Sequence, residues 1–281
     1  MLTTNPFASL GLSETIMQGY VILMFLLVVG GTLIDVIHKK SAQYFFETSQ
    51  KQQKNARRSI TSGDKTSAAI SVLLNEVLTS AEFENPMRRL SHLFTMYGFI
   101  LFVVSTVVLI FGYANMADAG IWGTLWHLGA ASLAFGGYWF WFVIRVDVSA
   151  EGKKWYQLAK ADLFIVSALM MVTWALIWSI VGKGGIMITE SISLCFVLFV
   201  LSATTLFSTV LWSKFAHMFF KPAAAFQKRI TKLDGSQENL PDVGEMNDPA
   251  IQARYPDIPE YMGTNPPNMG LGIKSEPPRH Y

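Results

Sequence analysis

The stretch LSHLFTMYGFILFVVSTVVLIFGY, residues 90–113, decides the fold. It holds 24 consecutive positions without an acidic or basic side chain other than His92, longer than the roughly 20 apolar residues that cross a bilayer as a helix. Reading outward for runs of the same kind gives four more, over residues 16–37, 121–144, 163–181 and 192–220. The composition agrees. Of 281 residues, 51% are hydrophobic and only 15% charged, with eight Trp and a mean hydropathy of +0.34. A soluble domain carries nearer a quarter charged residues, and a disordered chain carries fewer apolar ones. The expected fold is therefore an all-α integral membrane protein, a five-helix transmembrane bundle.

The charges between the runs orient it. Residues 38–89 hold Lys39, Lys40, Lys51, Lys54, Arg57, Arg58, Lys65, Arg88 and Arg89, and the connection after the third run holds Arg145, Lys153, Lys154 and Lys160. Basic loops stay in the cytoplasm. The other side carries an N-terminus without Lys or Arg, the short connection 114–120, and the turn 183–190. The N-terminus is expected outside and the C-terminus in the cytoplasm. No basic residues precede the first run and no small-residue cleavage site follows it, so it reads as a retained helix and not as a signal peptide.

Three regions result: an outer N-terminal segment (1–15), a five-helix membrane domain with a cytoplasmic loop at 38–89 (16–220), and a proline-rich cytoplasmic tail (221–281). Within the loop, Ile70, Leu73, Leu74, Val77, Leu78 and Ala81 fall at helical spacing, predicting an amphipathic helix that starts at Asp64 or Thr66 and ends at Asn85-Pro86. The tail holds nine of the eleven prolines and is expected to be extended. A net charge of +2 gives no reason to expect a nucleic-acid partner. The single Cys195 excludes an internal disulfide, a CxxC pair and a cysteine-held iron–sulfur cluster. Redox chemistry would need a bound cofactor.

The histidines suggest which one. His92 opens the second run and His217 closes the fifth, so chain order puts both at the cytoplasmic membrane level. Two imidazoles from different helices at one depth suit axial ligation of a b-type haem. Arg88 and Arg89 lie within about a turn of His92, and Lys214 and Lys221 within about a turn of His217, ready for the propionates. Counting back from His217 in helical steps gives Ser213, Thr209, Thr205 and Ser202, with Thr95, Gly98 and Ser105 a looser equivalent in the second run. Such small side chains would let a flat macrocycle approach the backbone.

His127 lies about 18 residues before Arg145, roughly 27 Å toward the outer side. It could ligate a second haem, bind a quinone oxygen or hydrogen-bond a neighbouring helix. No other His shares its level, which argues against a second bis-histidine haem. His38 follows Asp35 by one turn at the cytoplasmic end of the first run, an acid and imidazole able to exchange quinol protons. His280 sits in the tail. No HExxH, GxSxG, P-loop or GxGxxG context supports a hydrolase or a nucleotide enzyme.

The pattern of five helices, ENPMRRLSHLFTMYGFILFVVST (84–106) and LWSKFAHMFFKP (211–222) resembles the cytochrome b membrane subunits of the nitrate reductase gamma subunit type, which include the membrane subunits of heterodisulfide reductase. The tail, with PEYMGTNPPNMGLGIK (259–274), is similar to the membrane anchors of adenylylsulfate reductase from sulfur-oxidising bacteria. The resemblance implies a bacterial inner-membrane subunit that carries electrons between a cytoplasmic flavin or iron–sulfur oxidoreductase, adenylylsulfate reductase on the narrower match, and the quinone pool. It implies haem b on His92 and His217. In that family the second and fifth helices hold two histidines each; near Phe102 and Phe199 this chain has phenylalanines instead, so one haem is expected rather than two. The alternative is a haem-free anchor docking a cytoplasmic complex. A transporter has less support, since the runs lack buried acids and broken-helix glycine pairs.

Overall fold

The computed structural model describes residues 2–38, 41–81, 83, 85–147, 152–181, 185–236, 248–256 and 259. These residues are helical or irregular, with two isolated β-bridges, Thr4 to Asp118 and Met187 to Ser193. The helices are α1 (Glu14–His38), α2 (Ser41–Lys54), α3 (Ser62–Ser71), α4 (Pro86–Gly112), α5 (Ile121–Trp139), α6 (Leu163–Val181), α7 (Leu194–Ser208), α8 (His217–Leu233) and α9 (Pro249–Arg254). Four are long and apolar enough to cross a membrane: α1, α4, α5 with its π-helical extension to Ile144, and α6 with its 3-10 start at Lys160.

The fifth predicted run is not one helix. α7 has 15 residues, about 22 Å of rise, short of the roughly 30 Å hydrocarbon core. It stops at Ser208, and after Thr209 the chain turns, with Trp212 and Ser213 both donating to Thr209 O. Ser202, Thr204, Thr205 and Thr209 each turn a hydroxyl onto the carbonyl four residues back, at 2.7 to 2.9 Å. Such back-bonding bends helices, and four instances within eight residues precede the break. α8 then begins at His217.

The chain divides into two compact units, the first comprising residues 1–44 and 86–221. Its tightest packing joins α4 to α5. A methyl group at Gly129 would lie 2.6 Å from the backbone N of Phe102, and one at Gly136 would lie 2.6 Å from Ser91 O. Ser91 Oγ donates to Gly136 O at 2.9 Å and Ser132 Oγ to Phe94 O at 2.9 Å. Small residues let two backbones meet in this way. α6 packs on α5 and α7, and α1 lies against α7 and α4. Tyr20 OH reaches Val200 O and Thr204 Oγ1 across the α1–α7 contact.

The N-terminal segment folds back over one end of this bundle. Asn5 N donates to Ala117 O, Asn5 Nδ2 to Tyr113 O, and Ala119 N to Thr3 O. Asn5 Oδ1 caps the 3-10 turn Pro6–Ser9, and Gly11 abuts Ser191. Parts of the three regions expected on the side poorer in basic residues thus gather at one end of the bundle.

At the other end, Arg145 is not the solvated loop cation that the charge count assumed. It is fully buried, bonds Asp162 Oδ2 at 2.6 Å, Lys154 O at 2.9 Å and Gln157 O at 2.5 Å, and its guanidinium lies 4.2 Å from the Trp141 ring centre. The fork of donors ties the α5–α6 connection together.

The second unit comprises residues 45–85 and 222–281. Thr61 and Asp64 form a reciprocal capping box that starts α3, and the helix widens to π-type over Val72–Leu78. The amphipathic helix thus starts earlier than expected and ends before Pro86, which opens α4 instead. Ala68 and Val72 are buried, whereas Ile70, Leu73, Leu74 and Leu78 are exposed. Arg57 and Arg58 backbone amides donate to Asp234 O, and Gln227 bonds Gln52. The start of the tail, expected to be extended, is helical to Leu233 and again over Pro249–Arg254.

Candidate functional site

Chain order through the first unit fixes two ends. α4 starts where α5 finishes, α6 starts there, and α7 runs back toward it. His92, in the second turn of α4, and His217, the first residue of α8, therefore belong to this end. Phe215 is buried and packs on Phe164 at 5.5 Å and on Phe207 at 6.0 Å; Phe164 in turn packs on Phe99 at 6.3 Å, two turns along α4 from His92. His92 is half-buried, as are Arg88 and Arg89 beside it. Lys214 is exposed, and Ser213 is half-buried with its Oγ accepting from Phe215 N at 3.2 Å. The His217 side chain lies outside the described residues, as do Lys39, Lys40 and His280.

The small-residue stripes do not behave as the linear count suggested. The break at Thr209 takes Ser213 off the helical face of Ser202 and Thr205; Thr205 is exposed and Thr209 half-buried. On α4, Gly98 is closed by the α5 backbone at Leu133, and Thr95 donates to Ser91 O at 2.9 Å. These residues serve helix packing, because α4 and α5 meet backbone to backbone there. Of the residue types that a b-type haem uses, the His92 imidazole with Arg88 and Arg89 beside it lies at this end, and α8 begins with His217.

Among the described residues the opposite end holds no second histidine pair. Phe102 and Phe199, which stand where a second histidine pair would be, are buried among Trp126, Trp178 and Phe7. Phe102 lies 5.1 Å from Trp126, Trp178 stacks on Phe199 at 5.9 Å, and Phe7 of the N-terminal turn sits edge-on to Trp178 at 5.4 Å. Rings of this chain fill the space between them.

His127 stands next to that cluster, edge-on to Trp126 at 5.0 Å. Its Nδ1 is 2.7 Å from Gly123 O and its Nε2 is 2.6 Å from Ser179 Oγ. A carbonyl only accepts, so Nδ1 carries the proton, and Nε2 meets the Ser179 hydroxyl of α6. Of its three candidate roles, this geometry is that of a hydrogen bond between helices. A cleft of about 300 Å³ opens beside Ser179, lined by the N-terminal turn, Asn115 and Trp178.

Asp35 and His38, read as one interfacial pair, part company. His38 is exposed, whereas Asp35 is only 4% exposed. Linear reading missed Phe7, Ser179 and the burial of Arg145. The burial of Asp35, an acid inside the first apolar run, corrects the expectation that the runs lack buried acids. Among the described residues no three His, Cys, Asp or Glu side chains converge as a metal site, and Cys195 is a half-buried free thiol. No family model, no curated protein and no solved structure matches this chain.

Proposed function

We propose that this protein is a membrane-anchoring electron-transfer subunit, a five-span protein with its N-terminus outside, holding one haem b between His92 and His217 and exchanging electrons between a cytoplasmic redox enzyme and quinone. The observation that carries the reading is the placement of these two histidines at one end of the bundle, on separate helices, with Arg88, Arg89 and Lys214 close in sequence. In this reading the imidazoles are the axial ligands and the cations neutralise the propionates. The haem, when bound, supplies a one-electron carrier. The aromatic filling at Phe102 and Phe199 supports a count of one. The short α7 completes the fifth span together with the turn after it, because a segment packed within protein tolerates non-helical backbone at membrane depth.

The soluble partner is a flavin or iron–sulfur oxidoreductase, adenylylsulfate reductase being the candidate the tail suggests. The second unit, built from the 45–85 loop and the tail after Pro222, supplies folded material outside the spans for docking it. The same observation favours the second reading, a haem-free anchor that docks a cytoplasmic complex.

A dithionite-reduced minus air-oxidised spectrum of detergent-purified protein, with pyridine haemochrome quantification, separates the two. One low-spin b haem per chain is expected, and His92→Ala and His217→Ala should each abolish it. A haem-free chain from cells well supplied with haem would favour the anchor. Retention of the spectrum in both variants would overturn the ligand assignment.

A further inference from the structure

The bond between His127 and Ser179 joins two helices, and its direction gives it a second use. Gly123 O can only accept, so His127 Nδ1 carries the ring proton and Nε2 is the bare nitrogen. The Ser179 hydroxyl, 2.6 Å from Nε2, therefore donates to it. Ser167 and Thr173, on the same helix, return their hydroxyls to α6 carbonyls; Ser179 aims its own at an imidazole base. A hydroxyl within hydrogen-bond reach of a base, with the base oriented by a third group, is the arrangement that activates a serine nucleophile. Here the third group is the Gly123 carbonyl, which fixes the tautomer and meets the proton of the imidazolium that forms.

The second observation is access. Ser179 is half-buried in the last turn of α6 and lines the cleft of about 300 Å³ beneath the N-terminal turn, while His127 stands behind it, 9% exposed. That volume is at the small end of ligand pockets. The nine residues lining the cleft carry no charge, so it lacks the Lys or Arg that a phosphoryl group calls for. Glu14, bonded to Asn115 of the lining, disfavours other anions. Asn115 gives one of its two amide hydrogens to Glu14; the second suits an oxygen that becomes negative during reaction. Linear motifs do not register this pair, because its members stand 52 positions apart.

We infer that Ser179 and His127 are a serine nucleophile and its general base, forming an acyl-transfer site for small uncharged esters at the end of the bundle away from His92. The site depends neither on the haem nor on the quinone. Ser179 Oγ attacks the ester carbonyl carbon as its proton passes to His127 Nε2. The bond to the leaving alcohol then breaks, and the alcohol departs with that proton. Water repeats the transfer on the acyl-serine, releasing the acid and restoring the Ser179 hydroxyl. Asn115 donates to the carbonyl oxygen as it gains charge.

The test treats the full chain in nanodiscs with a tagged fluorophosphonate, which phosphonylates activated serines with loss of fluoride, and maps the adduct by peptide mass. One adduct per chain, on Ser179, is expected. Labelling should slow at least about hundredfold in His127→Gln, and Ser167→Ala, whose hydroxyl stays on its own helix, should label as the wild type does. Hydrolysis of p-nitrophenyl butyrate should be lost in Ser179→Ala and fall about hundredfold in Asn115→Ala. A wild-type chain that takes no adduct, or takes it on another residue, overturns the assignment and leaves the pair as a bond between helices only. Undiminished labelling in His127→Gln, or undiminished hydrolysis in Ser179→Ala, overturns it as well. The adduct is mapped on the wild-type chain, so misfolding of a variant does not blur the outcome.

Discussion

At the residue scale, the most consequential side chain outside the candidate sites is Arg145. Its charge is removed from water and repaid by Asp162, two loop carbonyls and the Trp141 face. Removing one partner of a buried ion pair leaves the other uncompensated, at about 3–5 kcal/mol. Arg145→Ala should therefore lower the thermal midpoint sharply in a detergent melt. Arg145→Lys should recover only part of the loss, because a point charge cannot reproduce the fork. An unchanged midpoint in Arg145→Ala would mean that the loop is held by something else. His127 shows the same limit of linear reading. Its identity and depth were legible in the sequence, but Ser179, 52 positions away, and Gly123, which occupy its two ring nitrogens, were not. Phe102 and Phe199 were legible as departures from a histidine pattern; that Phe7 closes over them was not.

At the element scale, α4 and α5 make opposite use of glycine from α1. Gly129 and Gly136 sit where a side chain would strike the α4 backbone, while Gly19 has open space around it. Gly129→Ala should part the helices and cost about 1–3 kcal/mol. Gly19→Ala should be neutral or slightly stabilising, since alanine is the better helix former. Detergent melts of the two variants compare them directly, and equal destabilisation would refute the zipper. In α3, the Thr61 backbone amide and hydroxyl, followed by Arg58, hold the Asp64 carboxyl below its ordinary value of 3.8. A carboxyl lowered in the folded chain adds stability that is present above its unfolded pKa and lost as pH falls through the folded one. The cap should persist down to about pH 4 and fail only below it. The carboxyl ¹³C titration of Asp64 in the full chain, assigned by its disappearance in Asp64→Asn, reads this; a midpoint at or above 3.8 would contradict it.

At the scale of the whole molecule, the proposed orientation makes its own prediction. In a Cys195→Ser background, Ala8→Cys should react with a membrane-impermeant maleimide on intact spheroplasts, and Asn55→Cys only after permeabilisation; the reverse pattern would invert the topology. Much of the architecture was legible from hydropathy alone, because a span must be apolar over its full length whatever it packs against. That is why the helices over 16–37, 90–113, 121–144 and 163–181 coincide within a few residues with α1, α4, α5 with its extension, and α6. The same constraint is blind to backbone continuity. The run at 192–220 is apolar throughout, yet hydroxyl back-bonding and the turn at Thr209 divide it, and the stripe counted from His217 is lost with it. Hydropathy was enough for the four helices long and apolar enough to cross a membrane, and chain order for the level expected of His92 and His217, since order through antiparallel helices dictates level. The closure of Gly98 by α5, the burial of Arg145 and the bonding of His127 came only with the packed helices. Each of these depends on contacts between residues distant in the chain, and no local pattern encodes which partner arrives.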